Sequence, residues 1–144
     1  MLPPRYFAVA LVAMLGLALV LPAARLIPFP WNLLGLIPLL LGAALNVVAD
    51  MQFKRAGTTV KPFETSSALV TDGVFQFTRN PMYLGMVSSL AGVAVLLGEL
   101  SPWIVVPLFA ALMQRLFVRS EERLLENRFG EEWRSYAARV RQWI

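Results

Sequence analysis

Residues 67–83 read Ser67-Ala68-Leu69-Val70-Thr71-Asp72-Gly73-Val74-Phe75-Gln76-Phe77-Thr78-Arg79-Asn80-Pro81-Met82-Tyr83, and they have to be taken together with the acidic turn Ser120-Glu121-Glu122-Arg123. Each stretch stands at the end of a long apolar segment, where backbone and charge meet the edge of a bilayer. The two are therefore expected to border one polar pocket in an otherwise apolar protein, and that pocket reads as a cofactor site.

Working outward, the composition fixes the solvent. Of the 144 residues, 58% are hydrophobic and 15% charged, too apolar for an ordinary soluble domain of this length. The chain reads as an integral membrane protein. The net charge is +4, but the basic residues flank hydrophobic spans and do not interleave with aromatics on a soluble face, so no nucleic-acid partner is expected. There is no Cys and no His. Disulfide and thiolate chemistry are thereby excluded, and a metal site would have to be built from carboxylates alone, so no metal is expected.

Four apolar runs predict four transmembrane helices, the architecture of an all-α integral membrane protein. The first covers residues 6 to about 27; it continues past Arg25 and further spans follow, so it reads as a helix and not as a cleaved leader. Pro28-Phe29-Pro30 makes a stiff connection to a second span, residues 31–49, which leaves the bilayer at Asp50. Asn80-Pro81 opens a third span over residues 82–97, with Pro in the first helical turn. Gly98-Glu99-Leu100-Ser101-Pro102 turns the chain into a fourth, residues 103–118. Gly85, Ser88, Ser89 and Gly92 make one stripe of the third helix, where another helix is expected to approach closely.

Residues 51–80 read as a long polar loop punctuated by Phe53, Phe63, Phe75 and Phe77, whose aromatics favour an ordered, functional loop. The tail keeps Leu125, Phe129, Trp133, Tyr136, Val140 and Trp143 at spacings of four, four, three, four and three. That is an amphipathic helical face, interrupted at Gly130 as at a helix C-cap. With four spans, Arg5, the loop and the tail share a side, and twelve of the thirteen basic residues lie there. The positive-inside rule then puts both termini and the pocket in the cytoplasm, with the protein in a prokaryotic inner membrane. The chain reads as a single membrane domain, with residues 1–49 as supporting spans and 50–144 as the functional unit.

Three groups carry candidate chemistry. On a helix continuing from the fourth span, Glu122 lies on the face of Arg119 and Arg115, which predicts an interfacial salt bridge. Glu121 shares its face with Gln114, Phe117 and Leu125 and has no cation there, so it is the better candidate to receive a ligand's hydroxyls. Around Asn80, Pro81, Met82 and Tyr83, a helix start offers free amide donors to an anionic group, or simply caps the helix and anchors it at the interface. Leu69 and Val70, the Gly73 turn, and Phe75 with Phe77 make either a flat aromatic floor or an interfacial loop.

Taken in order, Ala56-Gly57-Thr58-Thr59, Leu69-Val70-Thr71-Asp72-Gly73-Val74-Phe75, Arg79-Asn80-Pro81-Met82-Tyr83-Leu84-Gly85, Glu121-Glu122-Arg123-Leu124-Leu125 and Phe129-Gly130-Glu131-Glu132-Trp133 with Tyr136 resemble the integral-membrane methyltransferases. These form the isoprenylcysteine carboxyl methyltransferase and phospholipid N-methyltransferase superfamily. The resemblance spans about residues 50–143. It implies S-adenosylmethionine as cofactor, held by Ser67, Ala68, Leu69, Val70, Phe75, Asn80, Pro81, Met82, Tyr83 and Glu121, with Glu122 beside it. It also implies a lipophilic or lipid-modified acceptor reached from the membrane lipids. The absence of a G-x-G-x-x-G stretch agrees with this. Two positions depart from the prenylcysteine enzymes: Asn80 stands where they have His, and Phe117 where they have an Arg for the acceptor. Arg115 and Arg119 flank Phe117 and are the candidates to position the acceptor in its place. The expected function is methyl transfer of the prenylcysteine carboxyl type. The alternatives are phospholipid amine N-methylation and a non-catalytic membrane subunit.

Overall fold

In the computed structural model, residues 2–58, 64 and 66–144 are described; Thr59, Lys61 and Phe63 of the loop lie outside them. All regular structure among the described residues is helical, apart from one isolated bridge pairing Arg25 with Glu99.

Helix α1 covers Pro3–Val20, with Pro in its first turn, where no N–H partner is required. It ends well short of residue 27. Pro22 disfavours helical geometry in the residue before it, and Leu21 is already non-helical at φ −134° and ψ 57°. The chain then crosses the end of the bundle extended, its Leu26 and Ile27 amides donating to the Gly98 carbonyl and Ala24 accepting from Leu100. Arg25 and Glu99 pair across the same clasp at 3.4 Å.

A 3-10 turn at Trp31–Gly35 leads into α2, Leu36–Arg55. This helix outruns the predicted end at residue 49. Asp50 pairs with Lys54 one turn on, and Lys54 and Arg55 place positive charge where the helix dipole favours it. The first part of the expected loop is thus helix, which carries Gln52 and Phe53 beneath the loop's remainder.

Helix α3 is Pro81–Leu97 and is closed by Gly98 in the left-handed conformation, φ 71°. The last long run is continuous from Ser101 to Phe129: a 3-10 turn, α4 (Val105–Met113), a π-turn (Gln114–Val118) and α5 (Arg119–Phe129). Gly130, at φ 54°, breaks the chain before α6, Glu131–Arg139. Pro3–Val20, Trp31–Arg55 and Ser101–Phe129 are long and apolar enough to cross a membrane, while α3, at 17 residues, is a shorter apolar helix. By length and composition, then, three of the four expected spans qualify.

The small-residue stripe of α3 does meet another helix, and the partner is α2. A Cβ on Gly42 would lie 2.4 Å from the Gly85 carbonyl oxygen, and one on Gly92 would lie 2.6 Å from that of Gly35. At this separation Ser88 donates to the Pro38 carbonyl at 2.8 Å and Ser89 to that of Leu39 at 3.4 Å. On the other side of α3, Met14 of α1, Leu90 and Ala94 of α3, and Phe109, Met113, Phe117 and Val118 of the last run form the main core. A second cluster, Ala49, Val70, Phe75, Trp133 and Tyr136, lies where the end of α2 meets the loop and α6.

Substituting Gly42→Ala should force α2 and α3 apart and destabilise the fold by about 1–3 kcal/mol. Gly16→Ala, on an open face of α1, should not destabilise it. Thermal unfolding in detergent measures both, and equal midpoints for the two variants would contradict the close approach.

Candidate functional site

The start of α3 is shaped by Asn80, non-helical at φ −128° and ψ 57° before Pro81. The Asn80 amide donates to Thr78 Oγ1 at 3.2 Å, and its carbonyl accepts from Leu84 at 3.0 Å. Pro81 has no N–H, which leaves the Met82 and Tyr83 amides as the helix's free first-turn donors.

Opposite them stand Glu121 and Glu122, in the first turn of α5. Successive helical residues point about 100° apart, and the two carboxylates have different company. The Tyr83 hydroxyl donates to Glu121 Oε1 at 2.7 Å, and no other hydrogen bond or ion pair holds Glu121 among the described residues. Glu122 is held from several directions. Arg79 Nε lies 3.1 Å from its Oε1, Asn80 Nδ2 donates to the same oxygen at 3.4 Å, and Gln142 Nε2 donates to Oε2 at 2.7 Å. The salt bridge expected for Glu122 therefore forms with Arg79 on the loop, not with Arg115 or Arg119, both of which are exposed.

The tail closes the site from the side. Arg79 donates through Nη1 to the Ala137 carbonyl at 2.9 Å and through its backbone amide to Arg141 at 3.0 Å, and its guanidinium stands 5.7 Å from the Trp133 ring centroid. Tyr136 donates to the Phe75 carbonyl at 2.7 Å, and Phe75 meets Phe53 of α2 edge-on at 5.0 Å. Burial pushes the Tyr136 phenol up to about 12, against a smaller opposing pull from Arg79.

These elements enclose a cavity of about 280 Å³, close to the lower end of the range typical of small-molecule sites. Ala68, Leu69, Val70, Phe75, Asn80, Pro81, Met82, Tyr83, Glu121 and Glu122, all singled out in the sequence, line it together. Ser67 does not. It is exposed, donating from Oγ to the Gly57 carbonyl at 3.0 Å and from its amide to Thr58 Oγ1 at 3.1 Å, while Ser66 takes the place on the wall. Arg115 and Arg119 are likewise off the wall. The aromatic floor is half of what alternation suggested: Gly73–Gln76 forms a 3-10 turn, so Phe75 is buried at 4% exposure and Phe77 points out at 78%. Phe117 is 3% exposed, packed between Tyr6 at 5.8 Å and Tyr83 at 6.3 Å, and is not part of the wall.

Sequence reasoning missed Phe53, Trp133, Arg128 and residues 2–4 as wall, and Gln142 as a partner of Glu122. The amphipathic face of the tail was the available signal for Trp133. Nothing in the spacing marked Gln142. Among the described residues no three Asp or Glu side chains come together as a potential metal site.

With this geometry in view, the comparison with known families is decisive: the family described as phospholipid methyltransferase matches residues 31–132, more than half of the chain. The chain belongs to the phospholipid methyltransferase family. An uncharacterized protein of Haemophilus influenzae is also similar, 33% identical over 63 residues that make up 44% of this chain and 100% of that protein. Membership of the phospholipid methyltransferase family implies a membrane methyltransferase acting on a lipid-like substrate. The matched region takes in α2, the loop, α3 and α5 with both glutamates; α1 and residues 133–144, including Gln142, lie outside it.

Tyr136→Phe removes the hydrogen bond to a buried carbonyl and should destabilise the protein by about 1–2 kcal/mol, measured by unfolding in detergent near neutral pH. Because the folded phenol titrates above the ordinary value of about 10, its contribution is fully present below about pH 10 and fades as pH rises through about 12. The gap between wild type and variant should narrow across that window; a gap that widens would contradict the assignment.

Proposed function

We propose that the protein transfers a methyl group from S-adenosylmethionine to a lipophilic acceptor drawn from the bilayer. The observation that carries this is the division of labour between adjacent carboxylates: Glu122 is engaged by Arg79, Asn80 and Gln142, whereas Glu121, fixed among the described residues by Tyr83 alone, faces the cavity.

The residues present fit that cofactor. It carries a carboxylate, an ammonium, ribose hydroxyls, a sulfonium cation and an aromatic base. The wall offers the Met82 and Tyr83 amides for the first and the Glu121 carboxylate for ammonium or hydroxyls. The π faces of Phe75 and Trp133 suit the base and the cation. When bound, S-adenosylmethionine supplies an electrophilic methyl group on sulfur. Tyr83 orients Glu121, and the aromatic wall with Met86, Leu124 and Leu125 excludes water and offers apolar contact to the acceptor. Displacement at carbon depends on alignment more than on acid–base groups. A carboxylate acceptor needs no base, which suits a site without His. The second reading, a phospholipid amine, is favoured by the description of the matching family; such an amine must lose a proton before it reacts.

In this reading α3 is a fourth span. At about 26 Å it is a little shorter than a bilayer core, yet it lies against α2 at backbone contact and shares its depth. The start of α1, the end of α2 and the start of α3 meet at the cavity, together with the arginine-rich tail, while Arg25 and Glu99 pair at the other end. The positive-inside rule then favours a cytoplasmic cavity and cytoplasmic termini, and we take the membrane to be a prokaryotic inner membrane.

Calorimetry on purified protein in detergent tests the reading. S-adenosylmethionine and S-adenosylhomocysteine should bind with micromolar dissociation constants, near −8 kcal/mol, and Glu121→Ala should weaken both at least about tenfold while the protein remains folded. Folded wild type that binds neither ligand, or wild-type affinity in the variant, would overturn it.

A further inference from the structure

Residues past α6 contribute no atom to the cavity wall, yet they hold one of its two glutamates. Gln142 is the hub. Its Nε2 donates to Glu122 Oε2 at 2.7 Å, and its Oε1 accepts from Gln114 Nε2 at 3.0 Å. Its backbone carbonyl accepts from Asn80 Nδ2 at 3.1 Å and from Thr78 Oγ1 at 3.2 Å. Gln114, the first residue of the π-turn, in turn accepts from Trp143 Nε1 at 3.0 Å.

This chain of bonds has one consistent direction. An indole N–H can only donate, so it fixes the Gln114 carbonyl toward Trp143 and the Gln114 amide toward Gln142. A carboxylate without its proton can only accept, so it fixes the Gln142 amide toward Glu122. Both ends demand the same orientation of the two glutamines, and aligned hydrogen bonds of this kind reinforce one another.

We propose that Gln142 is a positioning residue for the cofactor site. It draws the Glu122 carboxylate toward the tail and against Arg79 and Asn80, and so fixes the start of α3 and leaves Glu121 as the carboxylate that meets the ligand. Gln114 and Trp143 lock Gln142 in that orientation. The inference rests on the function proposed above, because the site it organises is the S-adenosylmethionine pocket.

The test is binding of S-adenosylhomocysteine, by calorimetry, to wild type and a set of variants whose unfolding midpoints are measured alongside. Gln142→Leu should weaken binding about tenfold, the scale of one lost hydrogen bond to a charged group. Gln142→Glu, which keeps the size but opposes two carboxylates, should weaken it further. Combining Gln142→Glu with Glu122→Gln again faces a donor with an acceptor and should recover most of that added loss, whereas a purely structural role for the tail predicts no such rescue. In a Glu122→Gln background, Gln142→Leu should have little additional effect, because the pair acts as a unit. Wild-type affinity in Gln142→Leu, or additive losses without rescue, would overturn this inference while leaving the cofactor assignment standing. Folded wild type that fails to bind the probe would overturn both.

Discussion

Two neighbouring carboxylates at the point where an apolar helix reaches water constrain everything around them. A carboxylate taken out of water requires a partner, and consecutive positions on a helix cannot reach the same one. Glu121 turns to α3 and finds the Tyr83 hydroxyl; Glu122 turns the other way, to Arg79 and the tail. The second choice explains several otherwise separate features. Arg79 is buried enough to need its own acceptors and takes the Ala137 carbonyl and the Trp133 ring, which brings α6 over the loop. The chain beyond α6 follows, because Arg141 and Gln142 supply backbone acceptors to Arg79, Thr78 and Asn80.

The opposite wall depends on how closely α2 and α3 pack. Backbone contact at Gly42 and Gly85 sets the two helices at fixed depth and rotation. The extra turn of α2 past Ala49 then reaches the loop, where Gln52 Oε1 accepts from the Val74 amide at 3.3 Å and Phe53 meets Phe75. Phe75 is thus gripped from both sides, by α2 through its ring and by Tyr136 through its carbonyl. A loop with so little regular structure keeps an ordered aromatic face because two helices, distant in sequence, share one residue of it.

What was legible in the sequence followed from local rules, and what was not depended on long-range pairing. Apolar run length and Pro81 located the helices, and the small-residue stripe of α3 correctly announced a close neighbour. Pro22 ended the regular part of α1 as its ring predicts, whereas at α2 the expected boundary failed, because the Asp50–Lys54 pair carried the helix through a residue that looked like its exit. The candidate cofactor residues of the loop, of α3 and of α5 do line one cavity, Ser67 excepted. Arg115 and Arg119 were chosen by helical spacing, but the partner of Glu122 lies 43 positions away in the loop, beyond the reach of any periodicity. The two readings left open for Phe75 and Phe77, floor or interfacial loop, divide between them, because the 3-10 turn at Gly73–Gln76 buries Phe75 and leaves Phe77 exposed.

The π-turn had no sequence signal at all, lacking both Gly and Pro, and it matters for the departure at Phe117. Its wider winding turns Gln114 toward the tail and Phe117 into the core, where the ring lies between Tyr6 of α1 and Tyr83 of α3. Tyr83 is the residue that holds Glu121, so this aromatic stack connects α1 to the carboxylate facing the cavity. A guanidinium at position 117 would have to sit inside that stack, beside the Tyr83 hydroxyl that already holds the Glu121 carboxylate. Phe117 instead keeps the stack apolar and leaves Glu121 available to a ligand. By this route α1, which lies outside the region matched to the family, contributes to the site twice: through Tyr6 behind Tyr83, and through residues 2–4 on the cavity wall.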